Sequence, residues 1–346
     1  MAYTGIDDSS AFFQTTLYTG NGSNRSITNT GNSDLQPDLI WLKARSESEY
    51  NFLYDAVRGA TKGVSSDLTA VQATYSDGLT AFGSDGFSLG TSNGINRNGT
   101  TYVAWNWKAE TTSGIATNAS TTITPGGYSF NQTSGMSIIN YDGNNTAGAK
   151  VPHGLGATPD VMIVKAMNGN IHWAVYHKDI GNTHYLQFDT NAKLDDAGVW
   201  NDTSPDSVNF TIGNSDKSNT VTYIAYCFTE KQGYSKFGNY VGNGNADGTY
   251  VYLGFKPAFI IIKATSGTEN WRMYDNKRNG FNVDNEQLFP NLNNAEASDA
   301  DLDILSNGFK CRRNSGGFNN SGTTYIYMAF AEQPFVTSTG IPATAR

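Results

Sequence analysis

Short runs of alternating apolar and polar residues, broken by Gly, Asn and Asp, run the length of the chain. A period of two predicts β-strands rather than helices. The most apolar runs are Pro37–Ala44, Pro159–Ala166 and Pro257–Ala264, each opened by proline and each ending Lys-Ala. Proline is tolerated at a strand's first position, where its missing N–H does least harm. In the last third of the chain the pattern predicts strands near Ser235–Val241, Thr249–Leu253, Phe259–Ala264, Trp271–Asp275, Leu302–Leu305, Phe309–Arg312 and Thr324–Phe330. About seven strands in roughly 100 residues predict a β-sandwich, of jelly-roll or immunoglobulin-like type. Helix signals are confined to two single turns, Asp67–Ala73 and Asn291–Ala297.

The pattern repeats three times. Eleven residues after Lys43, Lys165 and Lys263 come Tyr54, Tyr176 and Tyr274. Phe87, Phe210 and Phe309 follow the lysines by 44, 45 and 46 residues. A closing run ends each copy: Thr101–Trp105, Thr222–Tyr226 and Thr324–Met328. A Tyr-x-Gly-Asn element precedes the lysine by 25, 24 and 23 residues, at Tyr18, Tyr141 and Tyr240. Five landmarks in constant order predict an all-β chain of three tandem sandwich repeats, 12–109, 128–231 and 234–334. Residues 110–127, rich in Thr, Ser, Ala and Gly, read as an extended linker. The second and third repeats join almost directly, so they are expected to pack more rigidly together than the first two. Residues 1–11 and 335–346 read as an N-terminal arm and a C-terminal tail, frayed or docked on a neighbour.

Strand faces sharpen the picture. In the closing strand Val103/Trp105/Trp107, Ile224/Tyr226/Phe228 and Ile326/Met328/Phe330 share the large face, which is expected to be core. Asn106, Cys227 and Ala329 share the small face. The lysine-bearing strand is apolar on both faces. Such a strand is central, its second face covered by a loop, a neighbouring repeat or another subunit.

Composition narrows the function class. The 346 residues carry 23 basic and 31 acidic side chains, a net charge of −8, which argues against nucleic acid as a partner. Only 16% of residues are charged and 12% are aromatic, which argues against disorder. Glycine and asparagine number 37 each, and polarity rests on amides and hydroxyls. The N-terminus shows neither the basic start nor the apolar stretch of a signal peptide. The densest apolar run, Ala258–Ile262, is far below the ~20 residues of a membrane helix. Folding in the cytosol without membrane insertion is expected. The two cysteines, Cys227 and Cys311, read as reduced, partly buried thiols.

Candidate chemistry is sparse. Lys43 and Lys263 are followed twelve residues later by Asp55 and Asp275, a spacing that suggests hairpin ion pairs, with His177 in the second copy. His172, His177 and His184 lie close in sequence, without a spacing that enforces metal binding. Asn243–Gly248 resembles the front of a calcium loop, but Gly254 stands where the bidentate Glu is needed, so a plain turn is favoured. Asp195-Asp196 and Asp299/Asp301/Asp303 offer carboxylate pairs that do not recur between repeats. Trp173/Tyr176 and Trp271/Tyr274 read as core aromatics before a sugar platform. No catalytic motif is found, so no catalytic residue, metal ligand or cofactor is assigned, and a non-enzyme is expected. Ligand-binding residues stay unassigned. A binding surface is sought in the loops that differ most between copies, Asn21–Asn32, Thr91–Gly99, Asn214–Asn219 and Arg312–Gly322.

Three stretches carry a family likeness: Val151–Asp160, Val199–Asp202 and Gly233–Tyr240, together with Gly86-Phe87 and Asn307-Gly308-Phe309. They resemble repeat domains in virion structural proteins of tailed bacteriophages, many of them marine. The likeness covers about residues 12–335. It implies an exposed virion protein, often tail-fibre-associated, and supplies no catalytic residues. The chain departs from that pattern in being short, with no coiled-coil or β-helical shaft. The expected function is a tail-associated fibre or adaptor on the virion surface, with recognition of host surface glycans. The alternatives are a capsid decoration or head-fibre protein without a ligand, then a polysaccharide depolymerase. Expected partners are other virion proteins and further copies of the chain in a homo-oligomer, a trimer among the forms considered.

Overall fold

The structure, a computed structural model, describes residues 3–190, 193–195, 198–279 and 282–343. It is all-β. Three large antiparallel sheets carry the same four-strand motif: opening, closing, lysine and hairpin strands, in that spatial order. In the first unit these are Phe13–Thr19, Thr101–Trp107, Leu39–Ala44 and Phe52–Asp55, extended by Lys62–Ser65 and Ala73–Thr74. In the second they are Met136–Asp142, Thr222–Phe228, Val161–Ala166 and Ala174–His177. Gly127–Asn131 flanks that sheet at one edge, His184–Leu186 and Lys193–Asp195 at the other. In the third they are Ser235–Val241, Thr324–Pro334, Phe255–Ala264 and Arg272–Asp275. A smaller sheet completes each sandwich: Arg25–Thr28, Gly86–Leu89 and Leu79–Gly83 in the first, Ala149–Pro152 with Asn209–Ile212 in the second. The third has Tyr250–Tyr252, Gly308–Cys311, Ala297–Leu305 and Asp284–Gln287.

The registers match. Leu39 faces Trp107, Val161 faces Phe228 and Phe259 faces Phe330 across the lysine and closing strands. Pro257 sits inside its strand at a register shift rather than ahead of it, which a bulge permits. The expected turns at Asp67–Ala73 and Asn291–Ala297 are not helical; Ser9–Ala11 and Asn93–Asn96 form the short helices instead. Both expected turns are rich in residues that serve equally in loops, so a few polar positions gave no helical period to test.

The two faces of each lysine strand explain the architecture. Ile40, Leu42 and Ala44 pack inside the first sandwich with Phe87 and Leu79. The second and third units have equivalent private cores. The opposite faces of all three large sheets meet in one shared core, with Trp41, Trp105, Trp107, Ile163, Phe228, Phe259, Ile261 and Phe330 among its members. The large face of the closing strand is therefore core, but it is the core common to three units, while the small face lies inside its own sandwich. Phe330 stands near the centre, its ring 5.5 Å from Phe13, 5.6 Å from Trp107 and 5.7 Å from Phe228. Phe188 lies 5.7, 6.2 and 4.6 Å from Trp41, Trp173 and Trp271, one tryptophan per unit. A wholly apolar void of about 20 Å³ remains among these side chains.

The connections are packed too. Ile123 of the linker is buried in the second unit's core, and Thr122 and Ile123 both donate to the Lys150 carbonyl. The arm is not frayed among its described residues: Ile6 enters the shared core, Thr4 Oγ1 donates to the Gln232 carbonyl at 2.8 Å, and Tyr3 donates to the Gly254 carbonyl. The tail meets the arm where Ser338 N donates to Asp7. The first unit is therefore not the loosely joined one. It packs against both others, because burial of two sheet faces required it.

Candidate functional site

Two rings of polar contacts join the units, and the recurrent residues of the sequence build both. At one end, Asp55 accepts from Arg58 Nε at 2.5 Å and from the Tyr226 hydroxyl of the second unit at 2.8 Å. Asp275 accepts from Arg278 Nε at 2.6 Å and from Trp105 Nε1 of the first unit at 3.0 Å. Tyr226 and Trp105 occupy the same closing-strand position, and the third unit has Met328 there. A thioether cannot donate, and the second unit accordingly has His177 in place of the acid. Its Nδ1 accepts from Asp179 N, so Nε2 carries the proton that it gives to the Tyr327 carbonyl at 3.3 Å. Burial pushes the His177 imidazole down to about 4, keeping it neutral.

At the other end, the residue eight positions after each lysine reaches into a neighbour. Asn51 Nδ2 donates to the Phe289 and Leu292 carbonyls, Trp173 Nε1 to those of Ser65 and Leu68, and Trp271 Nε1 to that of Gln187. First meets third, second meets first, and third meets second, so the ring closes head to tail.

The expected lysine–aspartate ion pairs are not formed. Leu39, not Lys43, faces Asp55, which places the lysine at the far end of its strand. Each lysine is fully buried and donates to carbonyls instead. Lys43 reaches those of Glu49 and Asn293, Lys165 those of Ile171 and Thr69, and Lys263 that of Ala264. Desolvation draws all three ammonium groups down to about 8.

The outer end of each unit carries one cassette. Tyr18, Tyr141 and Tyr240 stack on Tyr102, Tyr223 and Tyr325 at 5.1, 5.4 and 5.2 Å. Their hydroxyls donate to the carbonyls of Ile95, Ser218 and Phe318. Asn96, Asn219 and Asn319 are fully buried and accept from Asn21 N, Asn144 N and Asn243 N. The variable loops are thus pinned from within by an asparagine that sequence reasoning missed. Its signal was a recurrent Asn four or six residues before the closing-strand tyrosine. The glycine of Tyr-x-Gly-Asn is required because the chain passes so close: a Cβ on Gly143 would lie 2.3 Å from the Asn219 carbonyl carbon.

A family model matches residues 8–334, a stretch that spans all three units. The chain belongs to the family described as Domain of unknown function (DUF7483). No curated protein and no solved structure matches it.

In this DUF7483 chain the remaining candidates are dispersed. His172 pairs with Asp189 at 2.7 Å, His177 belongs to the joint above, and His184 contacts Thr183. Asn243 makes an Asx turn, with Asn245 N donating to its side chain, and Asp247 pairs with Lys310. Asp301 is fully buried; burial pushes its carboxyl up, against the pull of Tyr274, Arg272 and Arg313. Asp299 and Asp303 pair with Arg313 and Arg312. Asp196 lies outside the described residues. Trp173, Tyr176, Trp271 and Tyr274 are buried and offer no sugar platform. Cys227 and Cys311 are buried free thiols, held up to about 12 by desolvation. Among the described residues no three His, Cys, Asp or Glu side chains gather as metal ligands.

Proposed function

We propose that this chain is a non-enzymatic structural protein of a bacteriophage virion surface, a tail-associated fibre or adaptor that recognises host glycans. One observation carries the reading: the recurrent polar residues are spent on joining three sandwiches into a ring. Asp55, Asp275, His177, Asn51, Trp173 and Trp271 all hold one unit to the next. A protein built this way invests in shape. The family-like stretches Val151–Asp160, Val199–Asp202 and Gly233–Tyr240 supply the virion context. The proposed partners are other virion proteins and further copies of the chain. The lysine strands need no second copy to cover them, because their outer faces meet in the shared core.

Gold-labelled antibody to the protein, imaged on intact virions, tests the reading. Label on the tail is expected. Label on capsid faces or vertices supports the decoration reading instead, and loss of host polysaccharide viscosity on incubation with the protein supports a depolymerase.

A further inference from the structure

The third unit also departs from the internal symmetry where its opening and closing strands face each other. Opposite each other on the opening and closing strands, the first unit has Thr16 and Ala104, and the second has Ile139 and Ala225. The third has Gly238 and Tyr327. The glycine makes room for the ring: a Cβ there would lie 2.7 Å from the Tyr327 hydroxyl. The phenol extends past it to the open side of the sandwich, into a groove of about 440 Å³ between the edge strands Ser235–Val241 and Tyr250–Tyr252. Tyr327 is only 4% exposed, and its hydroxyl, for which the structure shows no hydrogen bond to a described residue, opens onto the groove. Desolvation, with Glu230 and Asp179 nearby, keeps it protonated and available as a donor.

The groove's rim is an aromatic platform held in place. Tyr250 and Tyr252 are 44% and 50% exposed and point the same way from the strand. The Tyr250 hydroxyl donates to Asn307 Oδ1 at 2.8 Å, and Lys236 Nζ lies 5.3 Å from the Tyr252 ring centre. The far wall comes from the second unit, with Lys178, Asp179 and Glu230. Two lysines and two carboxylates balance, so the groove has no net charge.

We propose that this groove binds a neutral oligosaccharide, with sugar rings on Tyr250 and Tyr252 and a sugar hydroxyl accepting from Tyr327. Rigid exposed rings beside paired charged groups suit a ligand with apolar ring faces and a hydroxyl perimeter. Strand addition by a peptide is disfavoured, because the edge is already bridged. Lys236 Nζ takes the Tyr252 carbonyl at 2.9 Å, and Thr249 Oγ1 takes that of Val241 at 2.8 Å. The inference rests on the glycan-recognition part of the proposed function and assigns that recognition to a site.

The test is saturation-transfer NMR and titration calorimetry of the full chain. The probes are cellotriose, maltotriose, chitotriose and lacto-N-tetraose, with sialyllactose as an acidic control and a neutral-glycan array to widen the search. Binding of at least one neutral probe is expected. Tyr252→Ala should weaken it roughly tenfold and Tyr327→Phe severalfold. Tyr50→Ala, at an exposed tyrosine outside the groove, should leave binding unchanged. Tyr327→Phe removes no protein hydrogen bond, so its melting temperature should match the parent's and a folding defect cannot mimic the result. Binding that ignores both substitutions overturns the site while leaving glycan recognition standing. Absence of binding to every neutral glycan overturns both. Preference for the acidic control, or for a peptide strand, overturns the assignment of ligand class.

Discussion

Replacing His177 with aspartate asks whether the unit joints are matched sets. In the first unit Asp55 has Arg58 three residues on and Tyr226 opposite. In the third, Asp275 has Arg278 and Trp105. A carboxylate at position 177 would instead find Ile180 and Met328, neither of which can donate from its side chain. A fully buried carboxyl left with only backbone N–H donors such as that of Asp179 rises by about 2–3 pKa units, and at about 1.36 kcal/mol per unit His177→Asp should cost about 3–4 kcal/mol at pH 7.5. The pH dependence should invert. His177 in the parent sits at about 4, below its unfolded value, so below pH 6.5 the unfolded chain binds the extra proton. The parent's contribution from this site therefore rises with pH from about 4 to 6.5. The aspartate, raised on folding, is harmless when protonated in both states and becomes costly as pH climbs above its unfolded value of about 3.9. Urea unfolding at pH 7.5 and 4.5 should show a large gap that closes at the lower pH. Adding Ile180→Arg and Met328→Tyr should recover at least half of it. A loss under about 1 kcal/mol at pH 7.5, or a gap indifferent to pH, refutes the matched-joint reasoning.

Three further outcomes follow from the same contacts. Lys165→Met should flatten the rise in stability between pH 8 and 9 by about 1 kcal/mol, since an ammonium drawn down to about 8 releases its proton over that interval in the folded state alone; urea midpoints of both proteins at both pH values check it. Phe330→Ala should cost about 4 kcal/mol and lower the unfolding midpoint reported by tryptophans of all three units together. Gly143→Ala should cost about 2 kcal/mol and raise hydrogen exchange in the Asn214–Asn219 loop, because its Cβ collides with backbone rather than a movable side chain.

Much of the fold was legible in the sequence. Ser235–Val241 was predicted to the residue, and the lysine and closing strands were placed within a few positions. Their alternation is strong because one face always meets a core. The apolar second face of the lysine strand announced a cover, but period alone names no partner; only Phe330 meeting Phe13 and Phe228 does. The Lys43–Asp55 pairing was misread because a twelve-residue spacing does not fix a hairpin register, and the turn here sets Leu39 opposite Asp55. Asp284–Gln287 went unseen because an Asp-Asn-Glu-Gln run has no strand propensity of its own. The Tyr327 groove was equally hidden: it depends on Gly238 lying across from the tyrosine, a relation between strands nearly ninety residues apart.

Equilibrium unfolding in urea, followed by hydrogen exchange in the closing strands Thr101–Trp107, Thr222–Phe228 and Thr324–Pro334, tests the shared core most directly. Three sheets built around common side chains should lose protection at one denaturant concentration, with a single slope proportional to the surface of the whole body. Three separate midpoints, or one unit that melts while the other two stay protected, would contradict it.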